Sequence, residues 1–432
     1  MLLLWLGLVT AGAEHLELDL ETSFLQISVA SVTEDAPWAE LHLSVYLLGF
    51  LLVPVFAAAF LCPKWVVVAM IACADSLCAE LPMAIFPLIT DDALILGALF
   101  AMKPLGQAVA TPLVLRFARH RELHLMKLGL LLQSSGLLLQ AFIPGAGAWF
   151  GARAAQGVAS ALIMEATAAT GTEAMQEAEA KGGLVDQMAL VYSMMLGVIC
   201  GAPLGGLAFS IDPFLPFLSL ALAELVLLAA VNVKMDSPSP PNSRPIRTPL
   251  LSMLKFPMVS RPLTLVCLLF TYNSALQAMI FKVLEDDFGL SVESSGFIWL
   301  FQAWPAILTW LLLGQMAQAI GFRLIMLSGI VAAGAGAMVI DDHSLTLLIG
   351  ELLVAGFAIG AENATVPRLM EDIGSRHFQV PDIYVLLNLS QQLACVVGPV
   401  MGGLFVRLSG LQAMGRAFGV VLLGYAMSYT LD

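Results

Sequence analysis

The sequence predicts an all-α membrane protein with twelve core transmembrane helices in two six-helix bundles, preceded by an extra N-terminal apolar helix. Of its 432 residues, 59% are hydrophobic and only 12% are charged, whereas a soluble domain carries about 25% charged residues. Apolar runs of about 18 or more residues recur along the chain, and each is long enough to cross a bilayer. Because these runs are continuous rather than alternating, they favour helices over barrel strands.

Four segments are predicted in order along the chain. Residues 1–63 hold a signal-like apolar start (1–13), an acidic segment (14–40) and the extra apolar helix (41–62). Residues 64–233 form an N-terminal six-helix bundle, residues 234–261 a cytosolic linker rich in Pro and Ser, and residues 262–432 a C-terminal six-helix bundle. The twelve core helices are predicted at 64–89, 93–115, 125–143, 147–172, 187–211, 213–233, 262–284, 294–318, 323–340, 344–367, 382–406 and 412–430.

The placement of basic residues predicts the orientation of these helices. If the first core helix starts in the cytosol, 14 of the 19 Lys and Arg residues fall on the cytosolic side and three fall outside. The other two, Lys103 and Arg153, lie within helices. This bias follows the positive-inside rule. We therefore expect a multi-pass protein of the plasma membrane or of an intracellular vesicle membrane.

No sequence feature indicates an enzyme or a bound cofactor. The chain lacks the phosphate-binding pattern G-x-x-x-x-G-K-S/T, the zinc-binding pattern H-E-x-x-H and the nucleophile pattern G-x-S-x-G. Its six cysteines lie in or beside apolar runs, without the spacing of a metal site. The net charge of −13 argues against a nucleic-acid partner. The predicted partners are a small-molecule substrate, protons and the bilayer, and we expect a monomer without metal or cofactor.

An internal repeat relates the two predicted bundles. The fifth core helix contains GAPLGG at 201–206, and the eleventh contains GPVMGG at 398–403, which is 197 residues later. At the same offset, Glu165 in the fourth helix corresponds to Glu362 in the tenth. Transporters are commonly built from such repeats, with the substrate site where the repeats meet. The small residues and prolines of this repeat predict close helix packing and bending at Gly197, Gly201, Pro203, Gly205, Gly398, Pro399 and Gly402.

Ionisable residues inside the predicted helices mark the candidate site. A charge at mid-bilayer costs about 2.5–3.5 kcal/mol on insertion scales, so each one needs a partner or an aqueous cavity. Asp75 in the first helix and Glu362 in the tenth are predicted to bind a cationic substrate, protons or both. Lys103, Gln107 and Asn388 are predicted to line the path. The alternative for this set is a group of purely structural ion pairs.

The remaining intramembrane charges carry weaker indications of function. Arg153 is predicted to organise the fourth helix and its carboxylate neighbours, and a purely structural pairing of Arg153 and Glu165 is an equal alternative. Structural or interfacial roles are favoured for Glu224 and Glu351, which no motif supports. Glu80 in the first helix is assigned no role.

Short motifs in five helices resemble those of one transporter family. The likeness rests on Arg153-Ala-Ala-Gln156-Gly157 (the pattern R-x-x-Q-G), residues 197–206 (the pattern g-x-x-x-G-P-x-x-G-G), FAMKPLGQ at 100–107, Asp75 with Pro87 twelve residues later, and GFAIG at 356–360 followed by Glu362 and Pro367. The chain is similar to the major facilitator superfamily, and within it to the drug:proton antiporter branch that includes the vesicular monoamine and acetylcholine transporters.

The resemblance implies that Asp75 and Glu362 serve amine recognition and proton coupling. In that branch the second-helix lysine pairs with an eleventh-helix aspartate, but Asn388 occupies that position here, so Lys103 is expected to lack its family partner. The seventh-helix glutamate of the amine transporters has no counterpart, since Met279 occupies that region. The loop after the second helix also lacks the family's glycine and aspartate.

These observations predict a secondary active transporter that works by alternating access. Its cargo is a small organic solute such as a cationic amine or drug, exchanged for protons. One alternative is a uniporter or symporter of a neutral or anionic metabolite, with Lys103 and Arg153 binding the substrate. A second alternative is a membrane receptor or scaffold that has lost transport.

Overall fold

The described part of the protein is helical throughout its regular elements. The structure, a computed structural model, describes residues 55–117, 121–143, 145–180, 189–235, 250–377 and 380–431. Residues 55–61, which end the extra apolar helix, are helical. The signal-like start, the acidic segment and residues 41–54 lie outside the described residues, as do residues 236–249 of the predicted linker.

Six helices form the N-terminal half. They are α1 (Lys64–Glu80), followed by a 3-10 turn (Phe86–Ile89), α2 (Ala93–Phe117), α3 (Glu122–Phe142), α4 (Ala146–Ala180), α5 (Ala189–Ile211) and α6 (Leu215–Lys234). A single helical turn (Leu250–Met253) lies in the described end of the linker.

Six helices also form the C-terminal half. They are α7 (Pro257–Asp286), α8 in two segments (Val292–Ile298 and Leu300–Ile320), α9 (Phe322–Val339), α10 (Leu345–His377), and a continuous stretch (Val380–Leu431) that contains α11 and α12. The backbone bends at Gly410, whose φ is 84°, so α11 covers 380–409 and α12 covers 411–431. Nine helices in the described residues are long and apolar enough to cross a membrane, and one of these spans contains both α11 and α12. The predicted all-α membrane architecture is confirmed.

The first core helix is shorter than the sequence predicts. The apolar run extends to residue 89, but α1 ends at Glu80 and the chain continues through turns to the 3-10 segment. Pro82 explains the break, because it has no N–H to donate to the carbonyl of Cys78 four residues earlier. By contrast, α4 and α10 continue for eight and ten residues beyond their predicted ends at residues 172 and 367.

Helices α5 and α8, from opposite halves, touch backbone to backbone near the outer face. We define the outer face as the end where α2 begins and α11 ends, opposite the linker. A Cβ added at Gly206 of α5 would lie 2.6 Å from the carbonyl oxygen of Val292, and one added at Gly296 of α8 would lie 2.6 Å from that of Ala202. A Cβ does not approach other atoms that closely, so this contact requires glycine at both positions.

Helices α2 and α11 make the equivalent contact between the halves. Gly97 of α2 faces the carbonyl group of Pro399, and Gly403 of α11 faces that of Ala93. Positions in α5 and α11 that play the same part are 197 residues apart, and those in α2 and α8 are 199 residues apart. The contacts are thus related by an internal pseudo-twofold axis, and the offset predicted for the fifth and eleventh helices is confirmed.

The offset between α4 and α10 differs from the predicted one. Gly157 of α4 packs on the carbonyl of Lys103, and Gly356 of α10 packs on that of Gln302. Both the glycines and their partners are 199 residues apart. The insertions that separate the two halves therefore do not shift every helix by the same number of residues.

The predicted correspondence of Glu165 with Glu362 is consequently wrong. At an offset of 199, Glu165 matches Ala364, and Glu362 matches Ile163. Two residues along a helix differ by about 200° in direction, so the two glutamates point to different sides of their helices.

Candidate functional site

A buried ion pair joins α1 and α2 in the N-terminal half. Lys103 Nζ lies 3.3 Å from Asp75 Oδ1 and donates to the backbone oxygen of Asp75 at 3.0 Å. Ser160 Oγ on α4 donates to Asp75 Oδ2 at 2.7 Å. Lys103 and Asp75 are both buried, so each supplies the counter-charge that the other needs away from water. Lys103, which lacks the family's aspartate because Asn388 replaces it, has Asp75 as its partner instead.

Arg153 of α4 stabilises the broken end of α1. Its Nη1 donates to the carbonyl of Cys78 at 3.0 Å, and its Nη2 donates to the carbonyl of Ala79 at 3.3 Å. The guanidinium carbon lies 5.3 Å from the centre of the Phe86 ring. Arg153 thus replaces the helix bond that Pro82 cannot make, and it places a positive charge at a helix C-terminus, where the dipole favours it.

Two glutamines extend this polar layer within the N-terminal half. Gln156 Oε1 accepts from Arg153 Nη1 at 3.2 Å, and Gln156 Nε2 donates to Gln140 Oε1 at 2.7 Å. Gln107 Nε2 lies 2.9 Å from Met164 Sδ on α4. Gln107 is therefore held at the contact between α2 and α4, which is also the contact that Gly157 permits.

Glu165 lies apart from this layer. It is half-buried, and Glu122 at the start of α3 is the charge within its electrostatic range. Arg153 stands twelve residues earlier, about 18 Å along the helix at 1.5 Å per residue. The structural pair of Arg153 and Glu165 that the sequence left open does not form.

Glu362 of α10 is a deeply buried carboxyl group. It is 2% exposed, and neither of its carboxylate oxygens has a hydrogen-bond partner among the described residues. The thiols of Cys267 on α7 and Cys395 on α11 lie within its electrostatic range. Asn388 of α11 is half-buried and accepts a hydrogen bond from Gln392 Nε2 at 3.3 Å, one turn along its own helix.

The glycines and prolines of the repeat set how closely the helices approach. Each of them lies against a helix that carries or supports the polar groups: Gly197, Gly201 and Gly205 face Cys73, Glu80 and Leu81 of α1, Gly398 and Gly402 face Ser274 and Ala275 of α7, and Pro203 and Pro399 face Gly296 and Gly97 across the halves. The small-residue series therefore positions α1 and α7, which border the interface between the halves.

One side-chain hydrogen bond between the halves was missed by the sequence reasoning. Gln277 Nε2 on α7 donates to Glu80 Oε2 at 2.9 Å and lies 2.8 Å from Met83 Sδ. Glu80 is the last residue of α1 and stands two residues before Pro82. An ionisable residue beside a proline in an apolar run was the available signal, because a helix break in the membrane is tolerated where it is buried in protein or lines a cavity.

An ion pair also links the halves at the outer face. Arg407 Nη1 of α11 lies 3.2 Å from Asp92 Oδ2, and both side chains are partly exposed. Asp92 additionally caps α2, since its Oδ1 accepts from the backbone N–H of Leu94 at 2.9 Å. Nearby, partial burial and the carboxylates of neighbouring acids raise the pKa of Asp287 above its ordinary value.

Two further buried carboxyl groups bond within their own halves. Ser134 Oγ donates to Glu224 Oε2 at 3.1 Å in the N-terminal half. Tyr272 and Glu351 share a hydrogen bond through the tyrosine hydroxyl in the C-terminal half. Both contacts fit the structural roles favoured for these glutamates.

Sequence comparisons connect the chain with transporters. The family model described as Major Facilitator Superfamily matches residues 263–431. The "Probable vesicular acetylcholine transporter-B" of Danio rerio is 25% identical over 350 residues, which cover 78% of this chain and 70% of that protein. The "Vesicular acetylcholine transporter" of Mus musculus is 24% identical over 356 residues, which cover 79% of this chain and 66% of that protein.

Solved structures share the fold at low sequence identity. The crystal structure of the nucleoside transporter NupG matches with a TM-score of 0.65 and 13% identity, covering 85% of this chain and 97% of that one. A bacterial homologue of the human lysosomal transporter Spinster, in an inward-facing and unoccupied conformation, matches with a TM-score of 0.63 and 13% identity over 88% and 97% of the two chains. Together the fold, the family match and the relatives identify the chain as a multi-pass membrane transporter of the major facilitator superfamily that resembles the vesicular acetylcholine transporters.

Proposed function

We propose that the protein exchanges a small organic cation for protons by alternating access, with Glu362 as the residue that carries the proton. The observation behind this proposal is the environment of Glu362, which is buried with no hydrogen-bond partner on either oxygen among the described residues. An ionised carboxylate in such a place costs several kcal/mol. Glu362 therefore holds either a proton or a cation, and alternation between the two is antiport.

The charges of the N-terminal half support a cationic cargo. Lys103 is occupied by Asp75, and the terminal nitrogens of Arg153 are occupied by backbone carbonyls. Neither cation is therefore available as an anion-binding group in this conformation. The acetylcholine in the name of the relatives is itself a quaternary ammonium compound, which agrees with a cation as the cargo.

The remaining predicted residues have supporting places in this scheme. Asp75 and Lys103 hold α1 to α2 as a neutral pair, and Gln107 and Asn388 offer polar groups beside the path. Arg153, with Gln156 and Gly157, keeps the end of α1 in place. The halves rock about the contacts of α2 with α11 and of α5 with α8.

The test is transport by the purified full-length chain in proteoliposomes with an imposed pH gradient. We expect uptake of at least one probe from a panel of tetraethylammonium, tetraphenylphosphonium and acetylcholine, with matching proton movement reported by an enclosed pH-sensitive dye. Glu362→Gln should abolish uptake driven by the gradient and keep exchange of external for internal probe. Glu351→Gln, a buried carboxyl that bonds to Tyr272, is the matched control and should retain both activities.

Two results would contradict the proposal. The first is gradient-driven uptake that survives Glu362→Gln. The second is a wild-type protein that moves anionic or neutral probes, or none, which would point to the metabolite carrier or the receptor instead.

A further inference from the structure

We propose that Glu80 is a second anionic residue of the substrate site, and that a small organic monocation binds between Glu80 and Glu362 near the axis that relates the two halves. This inference rests on the cation transport proposed above and specifies which side chains hold the cargo. Glu80 has no family motif around it, and its position in the fold is the reason for the assignment.

Packing defines which residues of α1 and α7 correspond to each other. The glycines of α5 and α11 that stand 197 residues apart face positions of α1 and α7 that stand 194 residues apart, namely Glu80 and Leu81 in α1 and Ser274 and Ala275 in α7. At that offset Gln277 is the counterpart of Met83, and the two side chains are in contact at 2.8 Å. A residue can touch its own counterpart across a twofold axis only where it lies close to that axis.

Glu80 therefore lies beside the pseudo-twofold axis. The same amide nitrogen of Gln277 that contacts Met83 donates to Glu80 Oε2 at 2.9 Å. In transporters built from two related halves, the substrate site lies at the interface of the repeats, which is where this axis runs. Gly201 permits the arrangement, because a Cβ at that position would collide with the Cβ of Glu80.

The second carboxyl group of the proposed site is Glu362, on α10 of the other half. Both Glu80 and Glu362 lie within electrostatic range of the Cys395 thiol on α11. A cation near Cys395 thus has one carboxylate from each half in its surroundings. Such a cation would attract both halves toward itself, which couples its binding to their closure.

The formal charges of the central layer suit a single positive charge. Asp75 and Lys103 compensate each other, and Arg153 lies within electrostatic range of Glu80. With every group ionised, the three carboxylates and two cations leave one net negative charge. A bound monocation or a proton makes the layer neutral, whereas an anion would double its charge in a low-dielectric site.

The experiment measures equilibrium binding of the transported probe to the full-length protein in detergent or nanodiscs. We expect Glu80→Gln to raise the Kd of the probe at least tenfold, and Glu80→Asp, which keeps the charge, to raise it less than Glu80→Gln does. Glu224→Gln replaces a buried carboxyl that bonds to Ser134 inside the N-terminal half, and it should leave the Kd within about twofold.

A second measurement uses the wild-type protein and does not depend on folding of a variant. Saturating probe should slow modification of Cys395 by a cationic methanethiosulfonate reagent at least fivefold, as quantified by peptide mass spectrometry. An unchanged Kd in Glu80→Gln, or modification of Cys395 that ignores the probe, overturns the assignment of Glu80 while the transport proposal stands. A wild-type protein that binds no cation of the panel refutes the transport proposal itself.

Discussion

Gly206→Ala is expected to open the outer face of the transporter without unfolding either half. Gly206 of α5 packs on the backbone of α8, and a Cβ added there would lie 2.6 Å from the carbonyl oxygen of Val292. An ordinary contact of this kind begins at 3.4 Å, so the two helices must separate by about 0.8 Å. The contact is made between the halves, and relative movement of the halves relieves it.

The size of the effect follows from the cost of overpacking. Inserting a methyl group into a close contact costs about 1–3 kcal/mol. If the whole cost falls on the conformation that is closed at the outer face, the ratio of open to closed molecules rises about 5- to 150-fold. The assay is the rate at which a membrane-impermeant thiol reagent, added on the outer side of oriented vesicles, modifies Cys395. We expect that rate to rise at least fivefold.

Two matched substitutions separate this effect from general destabilisation. Gly424→Ala adds a methyl group with no atom within 4 Å, and it carries the same gain in helix propensity. It should leave the rate unchanged. Gly197→Ala, on the same helix as Gly206, meets the carbonyl of Cys73 at 2.5 Å inside the N-terminal half. It should lower the Tm instead. If Gly206→Ala lowers the Tm and leaves the labelling rate alone, the reasoning is refuted.

Two further predictions concern the ion pairs. Asp75→Asn leaves the buried charge of Lys103 without its counter-ion and should cost about 3–5 kcal/mol of stability. The double variant with Lys103→Met should recover part of the loss in thermal denaturation, and equal Tm values for the single and double variants would contradict the pairing. Arg407→Ala removes a partly exposed pair with Asp92 worth about 0.2–1 kcal/mol. It should speed outer-side labelling of Cys395 by no more than about fivefold, with the difference shrinking at high salt, and a change that ignores salt would argue against an electrostatic latch.

Local composition was sufficient for much of the architecture. Long apolar runs must become helices in lipid, because every backbone N–H and carbonyl group needs a partner there. That single constraint predicted the helices, and the structure confirms their existence. It also explains where the prediction missed, since the run at 64–89 is apolar to its end while Pro82 interrupts the hydrogen bonding at Glu80.

The repeat was visible in the sequence only where glycines mark it. GAPLGG and GPVMGG align α5 with α11 because the close contact between the halves tolerates few other residues at those positions. The offset of α4 and α10 was assigned from one shared glutamate, and the packing of Gly157 and Gly356 corrects it. A single polar residue does not define a helix register, whereas a backbone contact does.

The sequence by itself determined that this chain lies in a membrane, how many helices it has, and which charges it carries inside them. Tertiary structure decided which of those charges meet: Lys103 pairs with Asp75, Arg153 binds the end of α1, and Glu80 reaches Gln277 in the other half. The reason is physical. Hydropathy is a property of each segment, whereas an ion pair depends on how far two helices lie apart and how each is rotated about its axis, and those quantities are set by packing between segments distant in the chain.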